Sequence, residues 1–139
     1  MTPGRPETGI LDTNAVINLE RLAPEHLPAR PRITTVTLAE LSVGPLIAES
    51  SAIAVARQAH LQMAEADFEP LPFDAAAARA FGRVSASLRS AGRKAKARTF
   101  DAMIAAIALA NDLPVYTCDP DDFGQIAGLE VIALPVPDP

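Results

Sequence analysis

Short apolar runs alternate along this chain with longer stretches in which apolar residues recur every three or four positions. Gly9–Leu11 and Arg32–Thr34 read as short strands, as do the segments FEPLPF, LPVYTC and LEVIALP that begin at Phe68, Leu113 and Leu129. Pro70 and Pro72 put the FEPLPF strand near a sheet edge, because proline cannot donate to a ladder. Between the strands lie helical patterns. Asn14–Arg21 reads as a short helix capped by Thr13 or Asn14. A second helix opens at Thr35 or Thr37, with Glu40 three residues beyond Thr37 in the manner of a capping box, and Pro45 ends or kinks it. A third helix spans Ser51–Ala66. A fourth, capped by Asp74, runs to Ser90 with Ala77, Ala80, Phe81, Val84 and Leu88 on one face, and Gly92 stops it. RKAKAR then forms a loop. Phe100–Asn111 is apolar nearly all round, which predicts a buried helix, and DPDDFGQI turns into a short one. Strands alternating with helices predict an α/β sandwich around a mostly parallel sheet.

With 139 residues the chain has the size of one domain, and about two-thirds of its unfolded surface is buried on folding. The single cysteine, Cys118, cannot form an internal disulfide. The opening MTPGRPETG has no apolar stretch of signal-peptide length, and no window approaches a membrane span. These features predict a cytoplasmic protein. The net charge is −5, unevenly spread. Between Ala75 and Phe100 stand Arg79, Arg83, Arg89, Arg93, Lys94, Lys96 and Arg98 with no Asp or Glu. An acidic protein with one basic segment can hold a polyanion locally; a solvated helix face followed by a soluble loop accounts for the same charges.

The chemistry is concentrated in carboxylates at element ends. Asp12 directly follows the strand GIL, and Asp119 follows PVYTC. In open parallel sheets ligands bind outside the carboxyl ends of strands, so both acids fall on that edge. Asp101 opens the apolar FDAMIAAIALA helix, and Glu40 sits in VTLAELSVG. Each has a local explanation, a favourable interaction with a helix dipole or a capping box. Those explanations do not account for four acids arriving together at the ends of the clearest elements. A pocket of ionised carboxylates needs a counter-charge, and an all-oxygen set suits Mg²⁺ or Mn²⁺ better than zinc. His26, in a proline-rich loop, and His60, in a helix, lie outside these motifs and read as surface or packing residues. Cys118 reads as a small strand residue.

The segments LDTN, ITTVTLAELSVG and FDAMIAAIALANDLPVYTCDPDDF, together with the final strand before IALP, resemble the PIN-domain ribonucleases, and most closely the VapC-type toxins of bacterial toxin–antitoxin pairs. The resemblance runs from Gly9 to about Pro135, in the family's order and spacing. It places the family's four acids on Asp12, Glu40, Asp101 and Asp119. Asn14 and Thr117 match polar positions that line the acidic pocket, and Asp122 is a further acid in a capping or supporting role. The resemblance implies a three-layer α/β/α sandwich with a short, mostly parallel sheet, forming a single PIN-like domain across residues 1–139 with a loose start at 1–8. It implies a Mg²⁺-dependent endoribonuclease, Mn²⁺ being a possible substitute. Asp12 and Asp101 would be the principal metal ligands, with Glu40 and Asp119 completing the site directly or through water. A cognate VapB-like antitoxin, an RNA substrate, and a homodimer or a dimer of toxin–antitoxin pairs are the implied partners. On charge alone, Arg93, Lys94, Lys96 and Arg98 are expected to hold RNA phosphates.

Rival acid-pocket enzymes fit poorly. A haloacid-dehalogenase-like phosphatase needs a second Asp where Asn14 stands. A response-regulator receiver needs a lysine after a late strand, and none follows Lys96. A non-catalytic RNA-binding or scaffold module of the same fold is the alternative from another class; the complete acid set argues against it.

Overall fold

Two strands of this protein end at a polar residue, Asp12 or Thr34, whose side chain caps the helix that follows, and the first of these turns builds the edge on which the acids stand. The computed structural model describes residues 7–92 and 99–136. Arg93, Lys94, Lys96 and Arg98, expected from their charge to hold phosphates, lie outside the described residues, as does the RKAKAR loop. Among the described residues five strands form one sheet: β1 (Thr8–Leu11), β2 (Arg30–Thr34), β3 (Pro70–Leu71), β4 (Val115–Thr117) and β5 (Val131–Ala133). Their order is β3-β2-β1-β4-β5, and every pairing is parallel. The proline-containing β3 is an edge strand, as its sequence requires. The start of β1 is less loose than expected: Thr8 pairs with Arg30, and Glu7 forms an ion pair with the Arg30 side chain.

Among the described residues five α-helices accompany the sheet: α1 (Thr13–Ile17), α2 (Thr35–Val43), α3 (Ser51–Asp67), α4 (Ala75–Ser90) and α5 (Thr99–Ala110). A 3₁₀ turn, Gly44–Ile47, carries Pro45 and follows α2 directly, so the proline tightens the chain after the helix. Gly92, at φ +77°, occupies the left-handed region beyond α4 that ends a helix most readily at glycine.

Successive strand residues point to opposite faces, and both faces are covered. Ile10 and Val115 join the core beneath α4 and α5, while Leu11 and Tyr116 join the core beneath α1 and α3. Such two-sided burial explains why these strands read as unbroken apolar runs. Gly9 has a specific cause: a Cβ there would overlap the Tyr116 ring on the neighbouring strand.

Two capping expectations need correction. Asp12, not Thr13 or Asn14, caps α1, its Oδ1 accepting from the Ala15 N–H at 2.9 Å. No loop separates β1 from α1, so the first residue after the strand is already the cap. Thr34, not Thr35 or Thr37, caps α2 by accepting from the Thr37 N–H at 3.2 Å. Glu40 is therefore deep within α2 and closes no capping box; its carboxylate is turned to another partner. The Asn14–Arg21 helix is also shorter than expected, with α1 ending at Ile17 and a 3₁₀ turn covering Leu19–Arg21.

Candidate active site

The strand order decides where the site lies. From central β1 the chain moves outward through β2 to β3, then returns to the other side of β1 as β4. Connections leaving β1 and β4 in opposite directions open a crevice at their carboxyl ends, the place where α/β sheets bind ligands. Asp12 follows β1 immediately, and Asp119 stands just beyond β4.

Asp12 is the centre of the arrangement. It is 3% exposed, and both carboxylate oxygens are engaged. Oδ1 accepts from the Ala15 N–H, and Oδ2 accepts from the Thr117 hydroxyl at 2.6 Å. Thr117 Oγ1 in turn accepts from the Asp119 N–H at 2.9 Å, tying the two strand ends together. Burial pushes the Asp12 carboxyl up from 3.8 to about 6; the bonds from Thr117 and Ala15 oppose this, and the charges of Asp101 and Asp119 reinforce it. Asp12 is thus both a helix cap and a buried acid whose ionisation its surroundings resist.

The other acids arrive from separate elements. Asp101 lies in the first turn of α5 and is half-buried. Glu40, on α2, accepts from the Thr13 hydroxyl at 2.6 Å, and Thr13 Oγ1 lies 3.0 Å from Thr37 Oγ1. Thr13 has one hydroxyl proton. When it goes to Glu40, Thr37 must donate to Thr13, and a chain from Thr37 through Thr13 to Glu40 aims the carboxylate. Burial raises the Glu40 pKa and the Asp101 charge adds to the rise, against the lowering bond from Thr13. Asp119 is exposed and held by Asn14, whose Nδ2 donates to Oδ2 at 2.9 Å.

A cleft of about 440 Å³ gathers Asp12, Glu40, Asp101 and Asp122 with Thr13 and Asn14. Asp119 does not line it and acts on Asp12 from beside it. Asp122 belongs to a 3₁₀ turn, Pro120–Asp122, and does line it. The rest of the lining, which the sequence does not single out as site residues, is Ile17, Leu41, Val43, Gly44, Ile47, Arg57 and His60. His60, expected as a surface or packing residue, is half-buried and stands in this wall. The three-residue spacing of Arg57 and His60 puts them on one face of α3, but no sequence signal says what that face looks upon. Cys118 stays out of the chemistry, since burial and the nearby Asp12 and Asp119 charges push its thiol up and away from the reactive thiolate.

Among the described residues no three Asp, Glu, His or Cys side chains stand close enough together to enclose a metal ion unaided. The donor set nevertheless fits a hydrated hard cation. It is all oxygen, and Mg²⁺ keeps several waters while taking one or two carboxylates. Each Asp12 oxygen retains a lone pair beyond its protein hydrogen bond. A divalent charge would also offset what raises the Asp12 pKa.

A PIN domain model matches residues 9–129. Ribonuclease VapC5 of Mycobacterium tuberculosis is 41% identical over 132 residues, which cover 93% of this chain and 95% of that protein. Ribonuclease VapC4 of the same organism is 32% identical over 128 residues, 90% of this chain and 95% of its own. Among solved structures, VapBC-5 from M. tuberculosis, a member of the VapBC family of toxin–antitoxin systems, matches with a TM-score of 0.81 at 41% identity. That match covers 92% of this chain and 99% of the other.

Proposed function

Because this chain belongs to the PIN-domain family, we propose that it is an endoribonuclease that acts as the toxin of a toxin–antitoxin pair. The observation that carries the reading is Asp12: a buried carboxylate at the topological switch point, crowded by further acids, facing an open cleft. The ribonuclease names of its relatives and the likeness to a VapBC structure support the same activity and a VapB-like antitoxin.

Within that reading, Asp12 and Asp101 hold Mg²⁺, which Mn²⁺ can replace, and Glu40 and Asp119 complete the site directly or through water. When bound, the ion supplies the charge that makes water acidic at neutral pH and that stabilises a leaving oxygen. The chain's own residues set the stage. Thr117 and the Ala15 N–H fix the Asp12 carboxylate, Thr13 fixes Glu40, and Asn14 fixes Asp119, so the acids meet the ion with little reorganisation. Asp122 supports the cleft wall. Arg93, Lys94, Lys96 and Arg98 hold flanking phosphates and position RNA without reading its sequence.

Among the described residues no helix is long and apolar enough to cross a membrane, and we place the protein in the cytoplasm. The antitoxin covers the exposed apolar residues Val43, Leu46, Ile47, Ile53 and Val55 and sends an Arg or Lys towards Asp12 and Asp101. The toxin pairs with itself or as a dimer of toxin–antitoxin complexes.

The test is cleavage of cellular RNA by the purified protein, with cut sites read by sequencing RNA ends. Cleavage that requires Mg²⁺, stops with chelator and is absent in Asp12→Ala is expected. Metal-independent cleavage would overturn the metal assignment. Tight RNA binding without cleavage under any divalent ion would favour the non-catalytic binding module.

A further inference from the structure

The cleft has a charge problem that its acids create. A phosphodiester is an anion, and four lining residues, Asp12, Glu40, Asp101 and Asp122, are acidic. One divalent ion offsets only part of that charge, so a polyanion gains from a further cation in the cleft. Among the described residues that line the cleft, Arg57 is the one Lys or Arg, and His60 follows it by about one turn on the same face of α3.

Arg57 is held ready rather than loosely displayed. Its Nη1 donates to the Gly44 carbonyl at 3.0 Å. Its aliphatic stem lies against Gly44 so closely that a Cβ there would meet Arg57 Cδ at 3.1 Å. Gly44 has ordinary right-handed helical angles, φ −49° and ψ −53°, so conformational freedom does not explain the glycine; room for the arginine does. Within the described residues the guanidinium forms no ion pair, and one bond to Gly44 leaves four of its five N–H donors for an incoming group. A planar, oriented fork of donors is the group that best matches phosphate oxygens.

We propose that Arg57, positioned by Gly44 and assisted by His60, anchors an RNA backbone phosphate next to the bond that is cut. The inference rests on the nuclease reading and deepens it by naming the wall that receives the substrate. Arg57 binds substrate and is no metal ligand, so its loss should separate substrate affinity from metal affinity.

Binding is measured with a short fluorescein-labelled single-stranded RNA of randomised sequence in an Asp12→Asn background. Cleavage is measured on total bacterial RNA with Asp12 intact. Arg57→Gln should weaken binding roughly tenfold, the scale of one charge-assisted hydrogen bond, and flatten the slope of log affinity against log salt by about 0.7. KM should rise with it, while Mn²⁺ affinity, read by calorimetry with Asp12 intact, stays as in the wild type. Arg57→Lys should keep the salt slope and recover only part of the affinity. Gly44→Ala should weaken binding when Arg57 is present and change nothing when position 57 is Gln, a non-additivity that a merely structural role would not produce. Wild-type cleavage with KM, salt slope and affinity unchanged in Arg57→Gln would overturn this inference alone. Failure of the wild type to cleave any RNA would overturn the nuclease reading and this inference with it. A fall in Mn²⁺ affinity with RNA binding intact would make Arg57 a partner of the acids and not of the substrate.

Discussion

Helices α5 and α3 flank the same sheet, the first apolar nearly all round and the second mixed with charged and amide side chains, and they live differently. Of the twelve residues of α5, six are buried: Ala102, Ile104, Ala105, Ala106, Ile107 and Ala108. Of the seventeen in α3, only Ala64 is. Ile53 and Val55 on α3, with Leu46 and Ile47 just before it, remain in water at 40%, 69%, 85% and 68% exposure. Helix α5 is wedged between the sheet and α4, whose small residues Ala77 and Ala80 allow close approach. Helix α3 packs on α1, α2 and the Gly44–Ile47 turn with little of its own surface buried, and its exposed apolar side chains are left in water. One side of the molecule keeps its helix buried, the other leaves apolar side chains in water, and the acid cleft opens at the seam.

The largest effect should fall on the stable side. Ile107→Ala removes a fully buried side chain and should cost about 2–5 kcal/mol, whereas Val55→Ala on α3 should stay within about 0.5 kcal/mol. Urea denaturation of the two variants compares them directly; equal losses would erase the contrast between the layers.

At the seam, Asp12→Asn should abolish cleavage and stabilise the metal-free protein. The folded state raises the Asp12 pKa from 3.8 to about 6, so the native state binds this proton more tightly than the unfolded chain. The favourable contribution is complete below 3.8 and is lost as pH rises to about 6. Above that, ionised Asp12 destabilises the fold by up to about 3 kcal/mol. The advantage of the Asn variant in chelator should therefore be small in acid, grow across this interval and level off. A constant advantage at every pH would show that its origin is not the buried charge.

On the exposed side, Leu46→Asp should leave the melting temperature unchanged within error and weaken antitoxin binding by about tenfold, some 1.4 kcal/mol. Calorimetry against the antitoxin tests it, and undiminished affinity would move the partner to another surface. The smallest effect is expected from Arg93, Lys94 and Lys96 changed together to Ala. The salt dependence of RNA affinity should flatten by about 0.7 for each single-strand phosphate left without its cation, at unchanged metal affinity. An unchanged slope would leave those charges with solubility as their role.

Much of this is legible in the chain itself. The apolar runs mark the strands, because β1 and β4 are buried on both faces and leave no alternation to misread. Asp74 announces α4, and the 77, 80, 84 and 88 face is the one that is buried. The resemblance picks out Asp12, Glu40, Asp101 and Asp119, and the structure gathers the first three in one cleft, with Asp119 beside it. The caps of α1 and α2 are not legible, because a carboxylate or threonine can cap from any of several neighbouring positions. Only the backbone path out of β1 and β2 chooses Asp12 and Thr34.

What the sequence alone determined was local: where elements begin, which faces are apolar, and which acids end them, since these depend on neighbours a few residues apart. What the tertiary structure decided was which distant groups meet. Thr117 reaches Asp12 across 105 positions, Thr13 reaches Glu40 across 27, and Arg57 locks onto Gly44 across 13. Those meetings follow from the order in which parallel strands pair, and that order is set by burying two apolar sheet faces at once, a condition no single segment of the chain can express.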